Sequence, residues 1–233
     1  MDAQSAWVQI RDGVLDGAPL AVSYFILAWS LGHYGVAVLG FDPGYVSLQS
    51  VLMFSAQAQL AALKTLSAGG NVMLAVLLAL FINARFMLMA ASLAPHFRGH
   101  PLPVLAVLSH VVGNGPFATA VRRFSVTGGQ PLFFGTAGFV GYAGYCLGAC
   151  AGAFLGTGLP ESIERAASFA LPAFLITMIV SGIRAGGRSM ALLAVATAAA
   201  TLATARIAGA DAALMAGPMI AATWIIWRSH GRT

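Results

Sequence analysis

The sequence predicts an all-α polytopic transmembrane helix bundle of about eight spans, some of them interrupted at mid-membrane. Three observations carry this. Hydrophobic residues make up 59% of the 233-residue chain and charged residues 8%, against roughly 25% charged in an average soluble domain. Mean hydropathy is +0.84. The apolar residues fall into runs of about 20, the length a helix needs to cross a hydrocarbon core of about 30 Å. The 12 basic and 7 acidic residues are too few to coat a water-exposed body of this size, so most of the surface must face lipid. The net charge of +5 comes from basic residues scattered singly or in one pair, not from a patch, so no nucleic-acid partner is expected.

The eight spans are placed at 18–38, 45–66, 71–94, 101–121, 132–157, 165–183, 189–206 and 212–228. Turn-forming residues separate them, including Asp42-Pro43-Gly44, Gly69-Gly70, Gly128-Gly129-Gln130-Pro131, Gly158-Leu159-Pro160 and Gly186-Gly187. Residues 1–17 read as a short interfacial segment, and the charges Asp2, Arg11, Asp12 and Asp16 do not fit a cleavable signal. The rest forms a single transporter domain over 1–233, with no linker long enough to hold a soluble module. No P-loop appears, which argues against an ATP-driven pump. No internal repeat is evident by eye, although inverted repeats in transporters leave weak sequence traces.

Eight straight spans put Arg11, Lys64, Arg122, Arg123, Arg184, Arg188, Arg228 and Arg232 on the side of the N-terminus, and Arg98, Arg165 and Arg206 on the other. The positive-inside rule then makes both termini cytoplasmic in a plasma (inner) membrane protein. Trp7, Trp224 and Trp227 suit an aromatic belt on that side. The fourth span is the most polar, and the parity depends on its crossing fully.

All seven acidic residues fall in termini, loops or span edges. The polar groups at mid-span are instead Ser55, Gln57 and Gln59 in span two, Asn83 and Arg85 in span three, and Ser109, His110 and Asn114 in span four. Three consecutive helices thus carry polar side chains to a common depth, where transporter sites lie. Arg85 is the sharpest, because an arginine at a helix centre costs about 2.5 to 3.5 kcal/mol on the insertion scale and usually faces the protein interior. Its candidate partners are backbone carbonyls, the amides, water or a bound anion such as an α-carboxylate; snorkelling toward Arg98 is the structural alternative. Gln57 and Gln59 stand two apart, as do Asn83 and Arg85, so only one of each pair can line a given cavity. Inter-helix hydrogen bonding accounts equally well for Gln59 and Asn83, and better for Gln57.

Gly113-Asn114-Gly115-Pro116 disturbs the backbone ladder at mid-span, either as an ordinary kink or as a break whose half-helix ends bind a small zwitterion. His110 is a candidate proton relay or a hydrogen-bonded structural histidine. Ser109 and His110 are sequence neighbours that cannot face each other on a helix, which disfavours an intramembrane protease; no enzyme activity is expected. Gly144, Gly148, Gly152 and Gly156 form a smooth stripe for close helix contact, within the chain or against a partner. Cys146 and Cys150 lie in an apolar run without supporting ligands, so they read as packing residues, and neither metal nor cofactor is expected.

Several motifs occur in a familiar order. Gly13-Val-Leu-Asp-Gly17-Ala-Pro19 precedes an apolar span, Phe54-Ser-Ala-Gln-Ala-Gln59 follows in span two, and Asn83-Ala-Arg85 continues through Met89, Leu93, Ala94 and Pro95. Over about residues 11–125 the chain resembles the AzlC family of branched-chain amino acid permeases, the large subunit of a two-component exporter; beyond that the likeness rests on hydropathy. The resemblance implies a multi-pass plasma-membrane protein that exports small apolar amino acids, works with a small hydrophobic AzlD-type subunit and draws on the proton gradient. Pro19, Gln59, Asn83 and Arg85 match the family pattern. Two positions depart from it. The family's glycine in span two is Ala56 here, with Gln57 beside it, and the family's Asp-Glu pair before Phe-Ala is replaced by Asn114-Gly115 before Pro116-Phe117-Ala118.

The leading function is therefore a secondary transporter exporting small neutral, branched-chain-type amino acids, with Arg85, Asn83, Gln59, Gln57 and Asn114 binding substrate. The alternative, suggested by the missing intramembrane acids, is a passive channel or facilitator for small metabolites.

Overall fold

The computed structural model describes residues 3–156 and 191–207, together with Ile176, Val180 and Arg184. Among these the secondary structure is helical throughout and contains no strand, as the composition requires. The chain divides into two compact units, Met1–Leu171 and Pro172–Thr233. Of span six only Ile176 and Val180 are described, both helical, and span eight lies outside the described residues.

The first unit begins with α1, Ala3–His33, which ends in a wide π-type turn over Tyr34–Val38. At 31 residues it is about 46 Å long, more than a bilayer core, so the supposed interfacial segment is the first part of the same helix. Then come α2, Pro43–Leu52, α3, Ala56–Ser67, and α4, Val72–Leu93, with a 3-10 turn over Ala94–Phe97. Next follow α5, Leu102–His110, α6, Asn114–Thr127, and α7, Pro131–Leu155. Asp42 and Asn71 cap α2 and α4 by accepting from the Tyr45 and Leu74 amides at 3.1 and 2.8 Å. In the second unit a 17-residue apolar helix, α8 (Ala191–Ile207), occupies the place of span seven.

α1, α4 and α7 are long and apolar enough to cross a membrane. The glycine stripe joins two of them within the chain. A Cβ at Gly144, Gly148 or Gly152 would collide with the backbone at Ala21, Phe25 or Trp29 respectively. The partners advance together by four residues, so α1 and α7 run parallel, backbone against backbone. Glycine is needed there for close approach.

Spans two and four are not straight crossings. Each is broken, at 53–55 and at 111–113, and each folds back on itself. In a continuous helix, residues 46 and 59 would be about 19 Å apart along the axis, yet Gln59 Nε2 donates to the Val46 carbonyl at 3.1 Å. A Cβ at Gly35 would touch both Val46 Cγ2, at 3.0 Å, and Leu63 Cδ1, at 3.4 Å, and Lys64 Nζ lies 5.9 Å from the Tyr34 ring centroid. The C-terminal end of α1, the start of α2 and the end of α3 therefore share one end of the bundle.

The second pair mirrors the first at the other end. Early in α6 the Gly115 amide donates to the Tyr24 hydroxyl at 2.9 Å, in the middle of α1. Two turns later Arg122 and Arg123 pair with Asp16 and Asp12 at 3.2 and 2.7 Å, so α6 runs back toward the start of α1. α5 sets out from that same end, where Phe97 packs edge-on against Phe124 with centroids 5.8 Å apart. It ends at His110, whose ring meets Tyr142 at 5.0 Å. Each long helix followed by a broken pair thus recurs once in opposite sense, as 3–67 and 72–127. This is the inverted repeat that sequence inspection did not reveal.

Refolding two spans as V-shaped pairs changes which end holds which charge. Arg98 moves to the N-terminal end with Arg11, Arg122 and Arg123, and Lys64 moves to the far end. The N- and C-terminal ends of α1–α7 still lie on opposite sides, because two crossings were removed together.

Candidate functional site

The two breaks meet inside the bundle. Met53 and Ser55 have extended backbone, with φ of −130° and −156°, which turns the Phe54 side chain into a nest of tyrosines. Its ring lies 5.5 Å, centroid to centroid, from each of Tyr24, Tyr142 and Tyr145, edge to face in every case. A Cβ at Gly113, the residue before α6, would lie 3.4 Å from Phe54 Cε1. Tyr24 bridges the breaks, holding the Phe54 ring on one side and the Gly115 amide on the other. Glycine at 115 is required for this, because a Cβ there would stand 2.5 Å from the Tyr24 hydroxyl and 2.8 Å from Leu20 Cδ2. Pro116 does not kink a span. It sits in the first turn of α6, where a missing N–H has no intrahelical acceptor to lose.

This places two half-helix N-termini, of α3 and α6, at mid-depth. The first intrahelical bond of α3 runs from the Gln59 amide to the Ser55 carbonyl at 2.9 Å, so the amides of Ala56, Gln57 and Ala58 have no intrahelical acceptor. The N-terminus of α3 carries no side-chain cap, whereas in the first turn of α6 the Gly115 amide is taken by the Tyr24 hydroxyl. Ser55 Oγ is buried without a hydrogen-bond partner among the described residues. Such ends attract negative charge. The same breaks expose the C-terminal ends of α2 and α5, which attract positive charge.

Arg85 reaches this region from α4. It donates through Nη2 to Gln57 Oε1 in the first turn of α3, lies with Cζ 4.9 Å from the Phe86 centroid, and has Tyr24 as an electrostatic neighbour. It is partly buried, and its Nε has no partner among the described residues. A cation held beside a helix N-terminus has no local compensation. Among the described residues the acidic groups are Asp12, Asp16 and Asp42, all at the ends of the bundle.

The other predicted residues separate into groups. Gln57 and Arg85 are brought together directly. Asn114 is the first residue of α6, and His110 the last of α5, edge-on to Tyr142, whose hydroxyl donates to the Val51 carbonyl at 2.7 Å. Asn83 lies about 200° around α4 from Arg85, and its Oδ1 is buried without a partner among the described residues. Gln59 stands one layer behind. It is fully buried, its Nε2 is within hydrogen-bond reach of the Val46 carbonyl and Ser50 Oγ at 3.1 and 2.7 Å, and its Oε1 accepts from Tyr145 at 2.7 Å. It ties α2, α3 and α7 together. Tyr24, Tyr142 and Tyr145 escaped the sequence reading, and Phe54 entered it only as part of a motif. The tyrosines' signal was a phenol at mid-span, which demands a polar partner in a dry interior.

Paired discontinuous helices of opposite sense, meeting at mid-bundle within an all-α membrane protein, recur in membrane transporters. The AzlC protein family model matches residues 19–159, more than half of the chain and both broken pairs, and the chain belongs to the AzlC family, a family of membrane transport proteins. No curated protein and no solved structure gives a significant match.

Proposed function

We propose that this protein is a secondary transporter that exports small neutral amino acids, of the branched-chain class, across the plasma membrane. The observation that carries the reading is the convergence of the uncapped N-terminus of α3, the first turn of α6 and a guanidinium at one depth. A carboxylate would accept from the orphan amides and from Arg85 in its fork geometry. The ammonium end would meet the carbonyl ends of α2 and α5 and the side-chain oxygen of Asn114, while Asn83, on the far face of α4 from Arg85, stands outside this arrangement. Gln57 presents the guanidinium, while Gln59 holds the frame.

The N-terminal end faces the cytoplasm in this proposal, because Arg11, Arg98, Arg122 and Arg123 gather there against Lys64 at the other end. His110, beside Tyr142 at the break, is the proposed proton relay. A small hydrophobic AzlD-type subunit completes the proposal. The outer face of α4, with Leu77, Leu80, Phe81, Met87 and Leu88 exposed, offers apolar surface to it or to lipid. The lack of a mid-depth acid among the described residues favours the second reading, a passive facilitator. Collapsing the proton gradient separates the two: coupled export stops, whereas downhill movement continues.

Binding of valine, leucine, isoleucine and methionine to the purified protein, alone and with a co-expressed small partner, tests the site. Losing hydrogen bonds to a charged group is worth about 1.5 to 3 kcal/mol, so Arg85→Gln should weaken binding roughly ten- to hundredfold. Arg85→Lys should recover little, because it keeps the charge but not the fork. Equal binding by wild type and Arg85→Gln rules this site out.

A further inference from the structure

We infer that Tyr24 is a second residue that holds the carboxylate of the transported molecule, its hydroxyl donating to the group that Arg85 grips. This rests on the amino-acid reading above and adds to it a substrate-contacting residue from the other repeat. The inverted repeat points to it. Arg85 stands on α4, the long helix of the second repeat, and bonds to Gln57, the second residue of α3 in the first. Tyr24 stands on α1, the long helix of the first repeat, and bonds to Gly115, the second residue of α6 in the second. Each long helix thus sends one polar side chain across to the first turn of the other repeat's second half-helix, and the two groups are electrostatic neighbours. Arg85 has a counterpart, and it is a phenol.

Hydrogen-bond accounting gives the phenol its role. A tyrosine hydroxyl both accepts and donates. The Gly115 amide, one of the orphan donors in the first turn of α6, donates to the Tyr24 oxygen at 2.9 Å, which leaves the hydroxyl's own hydrogen to be given away. Among the described residues no acceptor takes it, and the acids Asp12, Asp16 and Asp42 stand at the ends of the bundle. A donor left unpaired away from bulk water is costly, so this one calls for an acceptor from outside the chain. A carboxylate supplies it, because Arg85 and the orphan amides of α3 draw negative charge to the same depth. The series of amide, phenol and carboxylate also passes the positive end of α6 on to the substrate, each bond polarising the next. The ring is set before substrate arrives. Phe54 lies edge-on to it at 5.5 Å, and a Cβ at Gly141 of α7 would stand 3.4 Å from Tyr24 Cδ2 and Cε2, so little freedom remains to be lost on binding.

The test measures binding of leucine with an isotope-labelled carboxylate to wild type, Tyr24→Phe, Arg85→Gln and the double variant, together with the infrared band of the bound carboxylate. Tyr24→Phe keeps the ring and removes one bond to a charged group, so binding should weaken roughly ten- to hundredfold and the bound band should move. In the double variant the two losses should fall short of adding, because both act on one carboxylate. Gly115→Ala, whose Cβ would stand 2.5 Å from the Tyr24 hydroxyl and push it aside, should weaken binding in the same way; it decides the matter should Tyr24→Phe fail to fold. Weaker binding with an unmoved band would make Tyr24 a packing residue and overturn the inference, as would equal binding by wild type and Tyr24→Phe. Either result spares the transport reading. Absence of leucine binding by wild type overturns both.

Discussion

Among single residues, Gln59 shows how a family-matching amide serves the frame. Its side-chain bonds join α2, α3 and α7, and all of them are buried. Gln59→Leu keeps the volume but strands the Tyr145 hydroxyl in a dry interior, at a cost of about 1 to 3 kcal/mol for a buried group left unpaired, while Ser50 keeps its bond to the Val46 carbonyl. Thermal unfolding in detergent should show a clear drop, partly restored by adding Tyr145→Phe. An unchanged midpoint would mean that the clamp contributes nothing. The sequence, by helix face and by family likeness, favoured Gln59 over Gln57 as the substrate-facing amide, because the break that reorients them was hidden. Arg85 was legible as a cation turned into the bundle because a charge at that depth needs a reason, and it is partly buried there against Gln57.

Of the helices themselves, α1, α4 and α7 were readable to within a few residues, apart from the N-terminal extension of α1. Each is one apolar run closed by turn residues. The broken pairs were half readable. Glycine and proline flagged the break before α6, whereas Met53-Phe54-Ser55 has no such marker and depends on Phe54 packing among three tyrosines that are distant in sequence. The α1–α7 contact carries the element-scale prediction. Gly148→Leu drives a side chain into the Phe25 backbone, where overpacking costs about 1 to 3 kcal/mol even against side chains that can yield, and a carbonyl cannot. Expression monitored by fluorescence-detected size exclusion should show loss of the monodisperse species, while Ala143→Leu, on the exposed face of the same helix, should be tolerated. Equal behaviour of the two variants would place the stripe outside the core.

For the molecule as a whole, hydropathy gave the class but not the path. Two ten-residue half-helices and one straight span have the same composition, and nothing in a window average tells whether the chain continues or turns back. Only contacts distant in sequence, such as Lys64 beside Tyr34 and Arg123 beside Asp12, reveal the inverted repeat. That repeat brings two helix N-termini and Arg85 to one depth, so the transport mechanism depends on it. Compartment-specific labelling of single cysteines tests it most directly. Cys146 and Cys150, both free, are first replaced by alanine, and Gln4→Cys, Ser67→Cys and His100→Cys are then labelled one at a time with a membrane-impermeant thiol reagent in sealed vesicles of known orientation. Two V-shaped pairs predict that position 100 labels from the same side as position 4, and position 67 from the opposite side. Labelling of 67 together with 4, and of 100 from the opposite side, would restore straight crossings and contradict the site built on them.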